Sequence, residues 1–235
     1  MSPSTAFNTY LKLNGHRISK VVDFNTVTDK LYPFDFTSKN TSLTANILAD
    51  TTSFSKWVNQ ELSENDCKYG IGGYNEHRTI YARSVHFDTA EEPRRLHLGV
   101  DIWGKAATPV YNFHDATVHS FQFNDHYGDY GATIILKYNF DGLIVHALYG
   151  HLDLESLSGL QMGQSIAAGT LFARFGAAEE NGHWPPHLHF QLIFDMKGLY
   201  GDYPGVCRLS ESEQYLANSP DPASILQFTF PSSFD

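Results

Sequence analysis

The sequence predicts a mainly β protein, an antiparallel sheet or barrel-like sandwich with small helices at both ends. Short runs rich in β-branched and aromatic residues recur between about residue 70 and residue 196, punctuated by glycines. A strong hairpin signal, Asp141-Gly142, separates two of these runs, and long helical stretches are few.

The first 66 residues are mixed in character. Ser53 is placed to cap a short helix, because Phe54, Trp57, Val58, Glu61 and Leu62 follow at helical spacing and four of the five are apolar. The polar run Ser63-Glu64-Asn65-Asp66 ends that helix, and Gly70, Gly72 and Gly73 then break the chain. This gives an expected division into an extension, 1–66, a central domain, 67–200, and a tail, 201–235. Within the centre, Ala132–Tyr138 and Leu143–Tyr149 read as the arms of the hairpin. His187–Phe194 reads as a further strand, entered through Pro185-Pro186, which bars a helix before it. Ser210 and Glu213 have the spacing of a capping box for a helix near 211–216. Pro220 and Pro222 end it, and residues 223–230 are expected to pack back on the domain.

The 235 residues are 42% hydrophobic and 14% aromatic, enough to bury a core and too apolar for general disorder. The net charge of −10 gives no electrostatic reason to bind nucleic acid or an anionic membrane. No apolar run reaches the roughly 20 residues of a membrane helix, and no leader pattern opens the chain, so a cytoplasmic location is expected. Cys67 and Cys207 lie far apart in sequence and are expected as free thiols. Histidine is the unusual residue: there are 12, and nine lie from His97 to His189.

His97 and Asp101 are four apart, so on one extended strand both face the same side. His187 and His189 share a strand face, while Leu188 and Phe190 point into the core. His151 follows Leu143–Tyr149. His146, five positions earlier, falls on the opposite face if the strand stays regular, and reads as structural. His114, His119, His126 and His183 read as ordinary surface histidines. An imidazole and carboxylate set with three ligands and one open position is the layout of a catalytic zinc site. With two distant cysteines, a structural zinc site is disfavoured.

The order His97-x-x-x-Asp101, Tyr149-Gly150-His151-Leu152, His187-Leu188-His189-Phe190 resembles the lysostaphin/LytM-type zinc metallopeptidases, peptidase family M23. Thr108-Pro109-Val110, Tyr130-Gly131 and Gly163-Gln164 extend the resemblance over about residues 94–195. It implies the family's duplicated hybrid-motif fold and a Zn2+ cofactor held by His97, Asp101 and His189. It also implies catalytic roles for His151 and His187 beside the metal, and hydrolysis of a peptide amide bond. Which of His151 and His187 is the general base stays open. The stretches YNEHRTIY, GHWPPHLHFQLIFD, GDYPGV and SPDPASIL are similar to cytoplasmic variants fused to phosphotransferase-like and aminotransferase-like domains.

Two departures concern the cleft. Gly182-His183-Trp184-Pro185-Pro186 replaces the usual small, glycine-rich approach, and Gln191 stands where many members have Glu. With the acidic charge, they argue against a cell-wall substrate. Tyr74, Glu76 and Arg78 either line a substrate pocket or form a structural Glu–Arg pair. The expected partner is a peptide or peptide-like substrate. Two other readings compete: a metal-binding module without catalysis, and an amidase acting on a small molecule. A cupin-like metal protein needs a further histidine after His189, and none follows.

Overall fold

The computed structural model describes residues 1–83, 87 and 92–228. In chain order the helices are α1 (Pro3–Asn14), α2 (Ala45–Ala49), α3 (Thr51–Glu64), α4 (Ser212–Asn218) and α5 (Ala223–Leu226). The strands are β1 (Leu31–Phe34), β2 (Tyr69–Gly72), β3 (Leu96–His97), β4 (Val100–Trp103), β5 (Pro109–Tyr111) and β6 (Ala116–Asn124). They continue with β7 (Gly131–Phe140), β8 (Leu143–Leu152), β9 (Ser165–Ile166), β10 (Leu171–Arg174), β11 (His187–Ile193) and β12 (Val206–Cys207). Eight form one sheet in the order β1-β2-β4-β11-β8-β7-β6-β9, antiparallel throughout except for β1 with β2. Two small pairs, β10-β5 and β12-β3, lie beside it. The mainly β expectation, with small helices at both ends, agrees with this architecture.

The hairpin β7-β8 turns through Asp141 and Gly142, both with positive φ (52° and 96°), as a two-residue turn matched to strand twist requires. One face of the sheet carries the main core: Val100 and Ile102 of β4, Leu188, Phe190 and Leu192 of β11, and Ala147 and Tyr149 of β8 pack with Phe7, Tyr10 and Phe113. The alternate residues of β4 and β11, Asp101 and Trp103 with His187 and His189, point to the other face. There a second cluster joins Trp103 and Trp184 to Phe34, Phe36, Phe54 and Val58. The first 66 residues thus add a strand to the sheet and a helix to this cluster.

Several local expectations are corrected. The capping residue of α3 is Asp50, whose carboxylate accepts the Ser53 N–H at 2.7 Å. A charged acceptor at a helix N-terminus outcompetes a hydroxyl one turn later. Helix α1 was not expected, although Ser2 caps it and Pro3 occupies its first turn. Ser210 and Glu213 form no capping box: Ser210 lies in a 3-10 turn, bonded to Glu92, and Glu211 accepts the Arg208 N–H at 3.4 Å. His97 and Asp101 belong to two strands, β3 and β4, rather than one. His114 is buried, 3.3 Å from the Tyr10 hydroxyl, because α1 covers it. β8 does not stay regular: it continues through His151, which takes φ 62°, so His151 turns to the same face as His146. His146 packs against His119, away from His151. Of the returning tail, 223–228 packs back, with Ile225 and Leu226 buried, and 229–230 lie outside the described residues.

Phe54 is fully buried between Phe36 and Trp103. Phe54→Ala is expected to cost about 3–5 kcal/mol in denaturant unfolding. A cost below about 1 kcal/mol would mean that α3 is not part of the cooperative unit.

Candidate metal centre

Register sets the site. Asp101 of β4 and His189 of β11 are direct cross-strand partners, as are Trp103 and His187. The Trp103 indole stacks on the His187 ring at 3.9 Å between centroids. His97 enters from β3, held by Val206 of β12. Gly99 lets the chain pass from His97 to Asp101 over the His189 ring, because a Cβ there would lie 2.8 Å from His189 Cε1 and from the Phe190 carbonyl oxygen.

Each histidine is oriented through one ring nitrogen. The Nδ1–H of His97 donates to the Gly73 carbonyl at 2.8 Å, that of His151 to Asn181 at 2.8 Å, and that of His187 to Pro185 at 2.7 Å. A carbonyl can only accept, so these tautomers are fixed and each Nε2 is left as a lone pair. His189 is reversed. Gln191 donates its amide to the Pro204 carbonyl and the Ser219 hydroxyl, which turns Oε1 toward His189 Nε2 at 3.0 Å. His189 Nε2 therefore carries the proton, and Nδ1 is the free lone pair.

Three acceptor atoms then converge. His97 Nε2 and His189 Nδ1 are 3.0 Å apart, and Asp101 Oδ1 lies 3.2 Å and 3.0 Å from them. All three residues are buried. None of the three atoms has a proton to give, so the donor set fits a cation. Two nitrogen ligands on a tetrahedral zinc would lie about 3.3 Å apart, close to the spacing here. Burial, with the Arg78 charge, pushes His97 down to about 3 and keeps it neutral. Burial alone would raise Asp101, but His97 and Arg78 beside it prevail and hold it well below the usual carboxylate range. Burial and the neighbouring His187 lower His151 well below the usual histidine value, and burial brings His187 down to about 4. The rings of His151 and His187 lie 4.1 Å apart.

A cavity of about 150 Å³ opens over these groups, walled by Tyr81, Phe87, Trp103, Tyr130, Trp184 and Tyr203. Tyr74, Glu76 and Arg78 do not line it. Tyr74 donates its hydroxyl to Ser219 O, and the Glu76–Arg78 pair runs beneath the floor, against Asp101. The sequence left both readings of that pair open, and its link to Asp101 was missed. Cys67 and Cys207 are free thiols. No helix among the described residues is long and apolar enough to cross a membrane.

Among solved structures, similarity extends to the catalytic domain of the antimicrobial peptidase lysostaphin from Staphylococcus simulans, at 22% identity, over 74% of this chain and 98% of that one, with a TM-score of 0.43. A zinc-containing peptidase from Vibrio cholerae is similar at 27% identity over 42% of this chain, with a TM-score of 0.34, and the match spans 27% of that chain. No curated protein sequence matches this chain. The model of Peptidase family M23 matches residues 95–199, a stretch that contains His97, Asp101, His151, His187 and His189.

Proposed function

We propose that this protein is a zinc-dependent peptidase that hydrolyses an amide bond of a peptide or peptide-like substrate. The convergence of three proton-free acceptors, His97 Nε2, His189 Nδ1 and Asp101 Oδ1, inside a stretch matching a peptidase family carries this reading. These three residues would hold the metal, and three ligands with a fourth position open suit a catalytic zinc. Zinc bound there would polarise the scissile carbonyl and lower the pKa of a water beside it.

The protein's own groups handle protons. His151 and His187 are held neutral by burial and offer Nε2 lone pairs. Two imidazoles at 4.1 Å repel each other if both are charged, so the pair takes up one proton at a time. One member takes the proton of the attacking water on its free Nε2, and the imidazolium so formed is the donor that faces the charge developing on the carbonyl oxygen, its partner staying neutral. The imidazolium then returns its proton to the leaving amine. His151 holds its position through a left-handed backbone (φ 62°), fixed by its N–H on Tyr130 O and its carbonyl on the Gly176 N–H, each at 2.8 Å.

The walls indicate the substrate. A cavity near 150 Å³ accommodates a group about the size of a benzene ring. Aromatic walls favour one apolar side chain next to the scissile bond over glycine alone. The net charge of −10 removes any long-range attraction to an anionic polymer. A short peptide or peptide-like amide with one apolar residue fits both features.

Purified protein is expected to bind one zinc ion, and His189→Ala to lose it, as read by elemental analysis. A protein that stays metal-free when dialysed against zinc overturns the reading. His151→Ala is expected to keep its zinc and lose at least about 100-fold in kcat. Unchanged turnover in that variant, or no cleavage of any amide by the zinc-loaded protein, would leave a metal-binding module instead. In a peptide series, Leu or Phe beside the cleaved bond should raise kcat/KM about 10-fold or more over Gly, and Trp184→Ala should shrink that ratio. Equal rates for Gly and Leu peptides would remove the pocket from the argument.

A further inference from the structure

We infer that Arg78 is a positioning residue for the metal centre, holding Asp101 in a one-oxygen binding mode and linking the centre to the N-terminal segment. The inference rests on the reading of His97, Asp101 and His189 as metal ligands. Arg78 has no exposed surface, and its guanidinium is bonded on three sides. Nη1 donates to Asp101 Oδ2 at 2.5 Å and to the Tyr81 hydroxyl at 3.2 Å. Nη2 donates to the Gly73 carbonyl at 3.1 Å, and Nε to Glu76 Oε2 at 2.7 Å. Glu76 Oε1 in turn accepts the Phe36 N–H at 3.1 Å, so the chain of bonds runs back to the segment that continues β1.

Two consequences follow from these contacts. Asp101 has one oxygen committed to Arg78 and the other turned to His97 and His189, so it offers a single ligand atom with a fixed direction. The Gly73 carbonyl accepts from both Arg78 Nη2 and His97 Nδ1, so one backbone group aligns a ligand directly and a second ligand through Arg78. A lysine cannot reproduce this, because its point charge lacks the planar fork that reaches Asp101, Gly73 and Glu76 together. Arg78 lies outside residues 95–199, and its side chain is absent from the cavity wall, so it acts on the metal site and does not touch substrate. Gly72 shares the crowding: a Cβ there would lie 2.6 Å from Arg78 Nη2.

The test is zinc affinity by chelator competition, with the visible spectrum of the cobalt-substituted protein as a second readout of ligand geometry. Wild-type protein, Arg78→Met, Arg78→Lys and the double variant Glu76→Gln/Arg78→Met are compared. The double variant removes both buried charges together and guards against a fold lost to an unpaired Glu76. Arg78→Met and the double variant are expected to bind zinc about 10- to 100-fold more weakly, with a changed cobalt spectrum, and Arg78→Lys to recover only part of the loss. Unchanged affinity and spectrum in the folded variants overturn the positioning role. Tighter binding also overturns it, since Arg78 would then be a charge opposing the metal. Failure of the wild-type protein to bind zinc overturns instead the reading on which the inference stands.

Discussion

Three acceptors facing one another without a proton between them form the constraint around which the rest of the molecule is arranged. His97 Nε2, His189 Nδ1 and Asp101 Oδ1 lie 3.0–3.2 Å apart in a buried setting, where uncompensated lone pairs repel. Nothing in the hydrogen bonding relieves this, because the proton of each histidine is already spent on the far side of its ring. A divalent cation would turn the same contacts from repulsive to attractive. Binding energy of that kind adds to folding energy, so metal occupancy and stability are linked.

The frame that imposes this constraint is ordinary backbone geometry. Cross-strand register puts Asp101 opposite His189, and a crowded position at 99 that only glycine fits lets the chain pass close over the His189 ring. Backbone carbonyls of Gly73, Asn181 and Pro185, with the Gln191 side chain, then settle which nitrogen of each ring faces inward. Gln191 serves here as a neutral acceptor whose own amide is clamped by Pro204 and Ser219. It can orient His189 without adding a second negative charge beside Asp101.

What the sequence revealed and what it concealed divide along physical lines. The Asp141-Gly142 turn and the His-Leu-His triplet were legible because their meaning is local: a turn type, and side-chain alternation on a buried strand. The link from Arg78 to Asp101 was not, because it depends on the chain folding back over a separation of 23 positions to bring a guanidinium under a carboxylate. The faces of His146 and His151 were misjudged for one reason, a single residue in left-handed conformation that cancels the alternation rule. Strand β1, four residues long with Pro33 inside it, is stabilised by pairing with β2 and by Phe34 packing against Phe36, Trp57 and Trp103, none of which periodicity reports.

The aromatic cavity has a consequence for how such a protein can change. Its floor comes from Asp101, His151, His187 and His189, all inside the stretch matching the peptidase family. Ile80, Tyr81, Phe87 and Arg94 precede that stretch, and Asp202 to Val206 follow it. The aromatic wall is divided between the two: Trp103, Tyr130 and Trp184 share the matched stretch with the floor, while Tyr81, Phe87 and Tyr203 lie in its flanks. Mutations in the flanks can reshape their half of the wall while leaving the floor untouched, and grafting the flanks alone onto a relative would carry only that half. The inheritable unit of specificity is larger than the unit of family likeness.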